Sequence, residues 1–292
     1  MRQDDGRESE NIEDRRGMGM GRGGGIRFPG GGLGIAAVAV AALLFGVDPR
    51  IIFTAVGYLS SNKAPPTQSN APARSSPQDD QMKKFMSVVL ADTEDTWGQI
   101  FKKSGSRYEE PKLVLFTGQV ASACGYAQAA MGPFYCPGDH KLYLDMSFFN
   151  DLAHRHNAPG DFAQAYVLAH EVGHHVQNLL GIANQVQAVQ QRGGREQGNQ
   201  LQVRMELQAD CFAGIWANHA NQFRKILEPG DLEEAMAAAG GVGDDRIQKQ
   251  SQGYVVPESF THGSSEQRMR WFNIGAKTGD LTQCDTFKAN NL

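Results

Sequence analysis

Cysteine and net charge are both scarce in this sequence, and each shortage excludes a class of protein. Only four cysteines occur in 292 residues, which is too few for a small scaffold held together by disulfides. The 28 basic and 32 acidic side chains leave a formal net charge of −4, without the basic excess of a nucleic-acid-binding protein. With 40% apolar residues, the chain can instead bury a sizeable globular core. We expect no nucleic-acid partner.

Charged side chains are also missing from one stretch near the N-terminus. Residues 31–47 (GGLGIAAVAVAALLFGV) form an uncharged run of 17 residues, and a second apolar stretch follows at residues 51–59. A run of this length is at the lower limit for crossing a hydrocarbon core of about 30 Å. A signal peptide would begin near the first residue, and a buried core helix would show a polar face. The run therefore predicts one transmembrane helix within residues 33–59.

The basic residues beside this run predict its orientation. The arginines that precede it closely are Arg15, Arg16, Arg22 and Arg27. Only Arg50 and Lys63 follow it at a similar distance. Because basic residues are retained on the cytoplasmic side of a membrane, we expect a cytoplasmic N-terminus and an exported C-terminal body.

Composition divides the chain into four parts. Residues 1–32 are rich in glycine and arginine and show no apolar periodicity, which predicts a flexible tail. The membrane region at residues 33–59 is followed by a linker, residues 60–80, that is rich in Ser, Pro, Asn and Gln. Residues 81–292 form the body, in which early strands and later helices predict an α+β fold.

Two long helices are predicted in the second half of the body. Apolar periodicity predicts one helix over residues 162–180, which ends before Gly181, and another over residues 201–223. A glycine-containing loop is predicted between them at residues 193–198. The other predicted elements are a helix over residues 81–103, a strand over 112–120, a strand-turn-strand unit within 124–149 and a short helix over 231–239.

The first long helix contains an H-E-x-x-H motif, His170-Glu171-Val172-Gly173-His174. Residues four apart lie on one face of a helix, so His170 and His174 can share one tetrahedral zinc ion. Glu171 is then placed to accept a proton from the water that the metal activates. The alternative interpretation is a pair of surface histidines on a polar face.

The second long helix offers a third ligand. Zinc in a catalytic site needs three protein ligands and keeps a fourth position open. Glu206 and Asp210 are four residues apart, so Glu206 can bind the metal while Asp210 accepts the outer ring N–H of a ligand histidine. The alternative is a solvated acidic face. Apolar neighbours indicate instead that this helix is buried, where carboxylates need partners; they are Leu207, Phe212, Ala213, Ile215 and Trp216.

These motifs resemble the bacterial neutral zinc metallopeptidase family, of the gluzincin kind of zincin. The similarity is carried by the glycine-rich N-terminus, LFGVDP at residues 44–49, HEVGHHVQ at 170–177, ELQADC at 206–211 and THGSS at 261–265. The resemblance implies a zincin-like domain with an edge strand over the cleft, and one Zn²⁺ per chain bound by His170, His174 and Glu206. The resemblance supplies no particular substrate; the hydrolytic chemistry of the motif predicts a peptide or protein substrate. With the predicted orientation, we expect the body in the periplasm beside the bacterial inner membrane.

The late THGSS motif supplies a second catalytic candidate. Related gluzincins carry a late histidine that stabilises the oxyanion, and the resemblance assigns this role to His262; a loop histidine without a role is the alternative. Ser264 and Gln267 are in capping-box register, which predicts that a helix begins here. Arg268 or Arg270 could orient the site or simply be solvated. The adjacent His175 of the first motif points away around its helix and is expected to be a packing or surface residue.

The four cysteines allow three pairings, which the sequence cannot distinguish. Because an exported body favours disulfides, we expect Cys124–Cys136, which flanks the strand-turn unit, together with Cys211–Cys284. The alternative for Cys211 is a free buried thiol.

The sequence therefore predicts a membrane-anchored zinc endopeptidase, with Glu171 as general base and His262 as oxyanion stabiliser. The strand region at residues 121–131 is expected to bind substrate by strand addition. Two alternatives remain open. One is a non-catalytic interaction protein of the cell envelope on a zincin scaffold, and the other is a soluble protease whose apolar run is not an anchor.

Overall fold

The computed structural model describes residues 1–2, 6–17 and 76–292. The predicted membrane region at residues 33–59 and most of the predicted linker lie outside these described residues. Among the helices that are described, none is long and apolar enough to cross a bilayer. The described residues form one compact unit that combines a small sheet with a larger helical layer, in agreement with the predicted α+β class.

Three of the four strands of the sheet lie in the first half of the body, and the fourth lies near the N-terminus. The four strands are, in chain order, β1 (Ile12–Asp14), β2 (Lys112–Phe116), β5 (Phe134–Cys136) and β6 (Lys141–Asp145). They are arranged in the order β1-β2-β6-β5, with β1, β2 and β6 parallel and β5 antiparallel to β6. A separate antiparallel hairpin consists of β3 (Gln119–Ser122) and β4 (Gly125–Gln128).

The two central strands are buried on both faces because their apolar residues are continuous. Alternate residues of a strand point to opposite faces, so the leucines at positions 113, 115, 142 and 144 share one face and join the main core with the helices. Val114, Phe116 and Tyr143 point to the other face, where they pack with the β3–β4 hairpin. The sheet thus presents one face to the helices that carry the predicted zinc ligands.

The described residues form eight α-helices. They are α1 (Pro77–Lys103), α2 (Phe148–His154), α3 (Asp161–Leu179), α4 (Ile182–Gln190), α5 (Arg195–Arg224), α6 (Asp231–Gly241), α7 (Asp244–Gln252) and α8 (Ser265–Thr278). Three short 3₁₀ segments complete the body at Ala129–Met131, Pro257–Ser259 and Leu281–Cys284.

Capping residues determine where two of these helices begin. Ser76 and Asp79 form a capping box, and Pro77 occupies the first turn, where its missing N–H costs no hydrogen bond. Helix α1 therefore starts inside the predicted linker. Ser264 and Gln267 form the predicted capping box of α8. The predicted loop at residues 193–198 is shorter than expected because α5 already begins at Arg195.

Helix α8 packs closely along α5 through two glycines. A Cβ at Gly275 would collide with the backbone of Cys211, and a Cβ at Gly214 would collide with the backbone of Phe272. Only glycine therefore permits the separation of these two helices. The close packing brings Arg268 of α8 against the face of α5 that carries Asp210.

The N-terminal residues differ from the flexible tail that was predicted over residues 1–32. Residues 12–14 form β1, which pairs in parallel with β2, and flanking polar side chains bind to α1. The tail prediction was wrong for residues 6–17 because the partners that order them lie about one hundred residues away.

Both preferred cysteine pairings are present. Cys124 bonds to Cys136 with a Cα–Cα distance of 5.8 Å, and Cys211 bonds to Cys284 with a Cα–Cα distance of 5.7 Å. Both distances lie in the ordinary range for disulfides. The first bond fastens the end of the β3–β4 hairpin to β5, and the second ties α5 to the C-terminal 3₁₀ segment.

Candidate metal centre

The centre forms where α3 and α5 cross. Gly173, inside the H-E-x-x-H motif, faces α5 so closely that a Cβ there would lie 3.0 Å from the backbone oxygen of Ala209. This close approach places His170 and His174 opposite Glu206, which is three residues before Ala209 on α5. The glycine in the motif therefore sets the distance between the helix that supplies two ligands and the helix that supplies the third.

The three predicted ligands converge as expected. Nε2 of His170 lies 3.2 Å from Oε2 of Glu206, and Nε2 of His174 lies 3.5 Å from the same oxygen. A tetrahedral zinc ion with bonds of about 2.0–2.2 Å places neighbouring ligand atoms about 3.3–3.5 Å apart. The two nitrogens and the oxygen therefore fit around one metal ion, and all three donor atoms lie within 4.8 Å of one another.

A buried ion pair orients His170. Nδ1 of His170 donates to Oδ1 of Asp210 over 2.8 Å, as predicted for the downstream carboxylate. Arg268 donates to both oxygens of Asp210, from Nε and from Nη2, over 2.9 Å each. Tyr166, one turn before His170, donates its hydroxyl to the same carboxylate. Asp210 is fully buried and Arg268 is 4% exposed, so the pair is shielded from water and fixes the His170 ring.

A different partner orients His174. Its Nδ1 donates to Oε1 of Gln177, whose amide nitrogen donates to the backbone oxygen of Met205 over 2.7 Å. The same amide donates to Oε1 of Gln208 over 3.1 Å. Gln177 is completely buried. Gln177 was not predicted, although its position three residues after His174 on the same helix face was a usable signal.

Opposite charges control the protonation of these groups. Burial lowers the pKa of His170, but the carboxylates of Asp210 and Glu206 outweigh it and raise the pKa to about 10. Burial raises the pKa of Glu206, whereas the two ligand histidines hold it well below its ordinary value. Burial likewise raises the pKa of Asp210, and Arg268 with His170 lowers it to about 2. Because a metal binds neutral imidazole, it must compete with protons for these nitrogens.

The centre opens into a cleft of about 610 Å³. Glu171 lines this cleft next to the ligands, as the motif predicts for a general base. His262 lines it as well, so the late histidine is brought to the centre. Much of the remaining wall is apolar and is formed by Met131, Phe134, Phe148, Val167, Met205, Val242 and Ile247.

Asp244, at the start of α7, holds His262 in place. Its Oδ1 lies 3.2 Å from Nδ1 of His262, and its Oδ2 accepts the backbone N–H groups of Thr261, His262 and Gly263. The hydrogen bond to Asp244 raises the pKa of His262, against the opposing effect of burial. Asp244 was not predicted, because it lies eighteen residues before His262 and belongs to no motif with it.

The remaining candidate residues differ in whether they belong to the centre. Arg268 belongs to the centre, whereas Arg270 is exposed and donates to the backbone oxygen of Leu292. His175 is completely buried and is not part of the ligand set. Its Nδ1 and Nε2 lie near the hydroxyl of Tyr135 and the backbone oxygen of Glu109, at 3.1 Å and 2.6 Å. This histidine fastens α3 to the strand and loop beside it, in agreement with a packing role.

The edge strand beside the cleft is not the one predicted. Residues 121–131 belong mainly to the β3–β4 hairpin and the following 3₁₀ segment, and only their last part reaches the cleft. The cleft is bordered instead by β5 through Phe134 and Tyr135. β5 is the end strand of the four-stranded sheet in the described part of the chain. The strand itself was predicted, as the first strand of the strand-turn-strand unit within residues 124–149, but its position beside the cleft was not.

Comparison with known proteins agrees with this geometry. Residues 1–287 match the family model described as "Putative neutral zinc metallopeptidase". The chain is 51% identical over 293 residues to "Uncharacterized protein YpfJ" of Escherichia coli strain K12, with 98% of this chain and 99% of that protein covered. It is 42% identical over 261 residues to "Uncharacterized protein Mb2605" of Mycobacterium bovis, with 86% of each covered. No solved structure matches the chain significantly. The chain therefore belongs to this neutral zinc metallopeptidase family.

Proposed function

We propose that the chain is a zinc-dependent metallopeptidase that hydrolyses internal peptide bonds. The observation that carries the proposal is the convergence of His170, His174 and Glu206 at the spacing of one metal tetrahedron, beside an open cleft. Three protein ligands with one free position are typical of catalytic zinc, whereas structural zinc has four. The proposed stoichiometry is one Zn²⁺ per chain.

Different residues of the chain perform metal binding, proton transfer and oxyanion stabilisation. A zinc ion held by the three ligands would supply Lewis acidity towards water and the scissile carbonyl. Glu171 accepts the proton of the attacking water and then donates it to the leaving amine. His262, protonated and held by Asp244, donates a hydrogen bond to the oxygen on which negative charge develops. Asp210 keeps the His170 ring oriented throughout, because it is itself fixed by Arg268.

The proposed substrate is an extended peptide lying along β5. An end strand offers unpaired backbone groups to which a peptide can add by main-chain hydrogen bonding. Phe134 and Tyr135 place this strand at the border of the cleft. Since much of the cleft wall is apolar, we propose a preference for substrates with an apolar side chain next to the scissile bond.

Membrane attachment is part of the proposal, because residues 31–47 lack charge over a length that can enter a bilayer. Fractionation of the full chain tests this attachment. The full chain is expected in the membrane fraction and a variant lacking residues 33–59 in the soluble fraction. Recovery of both forms in the soluble fraction would support the soluble-protease alternative.

The test of hydrolysis is a comparison of Glu171→Gln with the unchanged chain on casein and on a set of unstructured peptides. Removing the general base is expected to lower kcat by about 10²–10⁴-fold, while both forms bind one zinc per chain. Glu266→Gln is the matched control, because Glu266 is exposed in the first turn of α8. Its activity should equal that of the unchanged chain.

The non-catalytic alternative makes a different prediction in the same experiment. Both forms would bind zinc, and neither would cleave any of the substrates. Equal residual cleavage by the unchanged chain and by Glu171→Gln would likewise contradict the proposal, since it would indicate a contaminating protease.

A further inference from the structure

The N-terminal segment, residues 6–17, is built into the same body as the metal centre. The backbone N–H of Leu113 donates to the oxygen of Asn11, and the N–H of Arg15 donates to the oxygen of Leu115, each over 2.8 Å. One of these bonds lies just before the three paired residues of β1 and the other just after them. Because β1 belongs to the sheet that ends at β5, the N-terminal segment and the cleft share one folded unit.

A buried carboxylate holds the beginning of this segment. Glu94 on α1 is 3% exposed, and it accepts hydrogen bonds from Ser9, from Nδ2 of Asn11 over 2.9 Å and from Nη2 of Arg7 over 2.8 Å. A carboxylate at this depth is costly to bury unless it is paired. Dissociation of the N-terminal segment would remove these three partners, so its binding to α1 is strongly favoured.

The end of the segment lies against the place where the chain re-enters the body. Nη1 of Arg16 donates to the backbone oxygen of Asp79 over 3.0 Å, and Nη2 of Arg16 lies 3.3 Å from Asp80. Nζ of Lys83 donates to Asp14 over 3.0 Å. These contacts join residues just before position 18 to residues just after position 75. The chain therefore leaves and rejoins the body at the first turns of α1.

We infer that the N-terminal segment and the body lie on the same side of the membrane. Strands β1 and β2 cannot pair across a hydrocarbon core about 30 Å thick, which makes the number of crossings even.

The disulfides identify which side this is. Cys124–Cys136 and Cys211–Cys284 both lie in the body, and disulfides persist in oxidising compartments such as the bacterial periplasm. The N-terminal segment must therefore be exported together with the body. This conclusion reverses the cytoplasmic N-terminus that the arginines near the apolar run predicted, and it does not depend on whether the cleft hydrolyses peptides.

Cysteine labelling of the full chain in bacterial cells tests the inference. Glu10→Cys reports on the N-terminal segment and Ser106→Cys on the body, because both positions are exposed. The native cysteines are all in disulfides and should not react. A membrane-impermeant maleimide is applied to spheroplasts and, separately, to inverted membrane vesicles. Both variants are expected to react in spheroplasts and to be protected in sealed vesicles.

Two results would overturn the inference. Reaction of one variant in spheroplasts and of the other in inverted vesicles would show that the segment and the body are on opposite sides. Reaction of both only in inverted vesicles would contradict the assignment to the oxidising compartment.

Hydrogen exchange on the purified full chain adds a second measurement, in which the Arg15 amide should exchange at least about 100-fold more slowly than an unprotected amide. The Glu171→Gln background should give the same labelling, which separates this test from the test of hydrolysis.

Discussion

At the scale of single residues, the two histidines of the centre have different hydrogen-bond partners. His170 donates to a carboxylate, Asp210, whose charge is balanced by Arg268, whereas His174 donates to the neutral amide oxygen of Gln177. A carboxylate partner increases the basicity of a ligand imidazole more than an amide does. His170 would therefore be the stronger donor to a bound metal, and the orientation of His174 depends on a network of amides.

The pH dependence of the reaction is expected to depend on Asp244. Its hydrogen bond raises the pKa of His262, so the imidazolium needed at the oxyanion persists to higher pH than in an isolated histidine. Activity should fall as the pH rises through this raised pKa. In Asp244→Asn the pKa should fall, and the alkaline limb of kcat/KM against pH should move to lower pH.

Asp245→Asn is the matched control for this measurement. Asp245 accepts the backbone N–H and the hydroxyl of Ser265 rather than any group of His262. Its variant should change stability without moving the alkaline limb. An unchanged limb in Asp244→Asn would contradict the role assigned to His262.

The H-E-x-x-H motif on one helix and the four-residue spacing of two carboxylates on another were enough to predict the three ligands and Asp210. Tyr166, Gln177 and Asp244 were not predicted. Tyr166 and Gln177 lie on the same helix as the two ligand histidines, and the spacing of Gln177 from His174 was a signal. Their partners, however, come from α5 and α8, and only the packing of those helices reveals them. Asp244 comes from a separate helix, and its contact with His262 depends on how the intervening loop folds.

At the scale of elements, the site depends on how closely α3 approaches α5. Gly173→Val is expected to separate the two helices, because its side chain would meet the backbone and Cβ of Ala209. Overpacking of this kind costs about 1–3 kcal/mol. Zinc affinity should fall as well, since Glu206 would move away from the histidines. Denaturant unfolding and zinc competition with a chelator measure the two effects.

Gly98→Val provides the comparison for this variant. Gly98 lies within α1, and a Cβ there meets nothing within 4 Å. It should change helix propensity slightly and leave zinc affinity as it was. Equal zinc affinity in the Gly173 and Gly98 variants would show that the close approach of α3 and α5 is not required for the centre.

The long helices could be predicted from the sequence, whereas the structural roles of two short strands could not. The H-E-x-x-H helix and the glutamate helix were predicted because each carries its own apolar periodicity over several turns. Strand β1 has only three residues, and nothing in its local sequence is typical of a strand. Its order comes from β2 and Glu94, which are distant in the sequence. β5 was assigned no role beside the cleft because its edge position depends on the order of strands in the sheet.

At the scale of the whole molecule, the C-terminus is linked to the centre. The disulfide Cys211–Cys284 joins α5 to the last 3₁₀ segment, and the backbone oxygen of Cys284 accepts a hydrogen bond from Gln208 over 3.0 Å. Gln208 in turn accepts from Gln177, which orients His174. A continuous set of hydrogen bonds therefore runs from the disulfide to a zinc ligand.

Removing this disulfide is expected to affect both stability and metal binding. The double variant Cys211→Ser/Cys284→Ser should lose about 2–4 kcal/mol of unfolding free energy. It should also bind zinc more weakly, because the C-terminal segment no longer holds Gln208. Urea unfolding and chelator competition give the two values.

The other disulfide serves as the control. Cys124→Ser/Cys136→Ser opens a bond that fastens the hairpin to β5, and no hydrogen bond of that pair leads to a ligand histidine in the described residues. It should lower stability and leave zinc affinity unchanged. An equal loss of zinc affinity in both double variants would contradict the link between the C-terminus and His174.

The pairing of β1 with β2 also constrains the order in which the protein can fold. Ile12 is synthesised about one hundred residues before its partner Leu113, and contacts between such distant positions form late and slowly. The earliest part of the chain must therefore wait for its strand partner until the middle of the polypeptide has been synthesised. Until then the sheet that borders the cleft lacks the strand at its opposite edge.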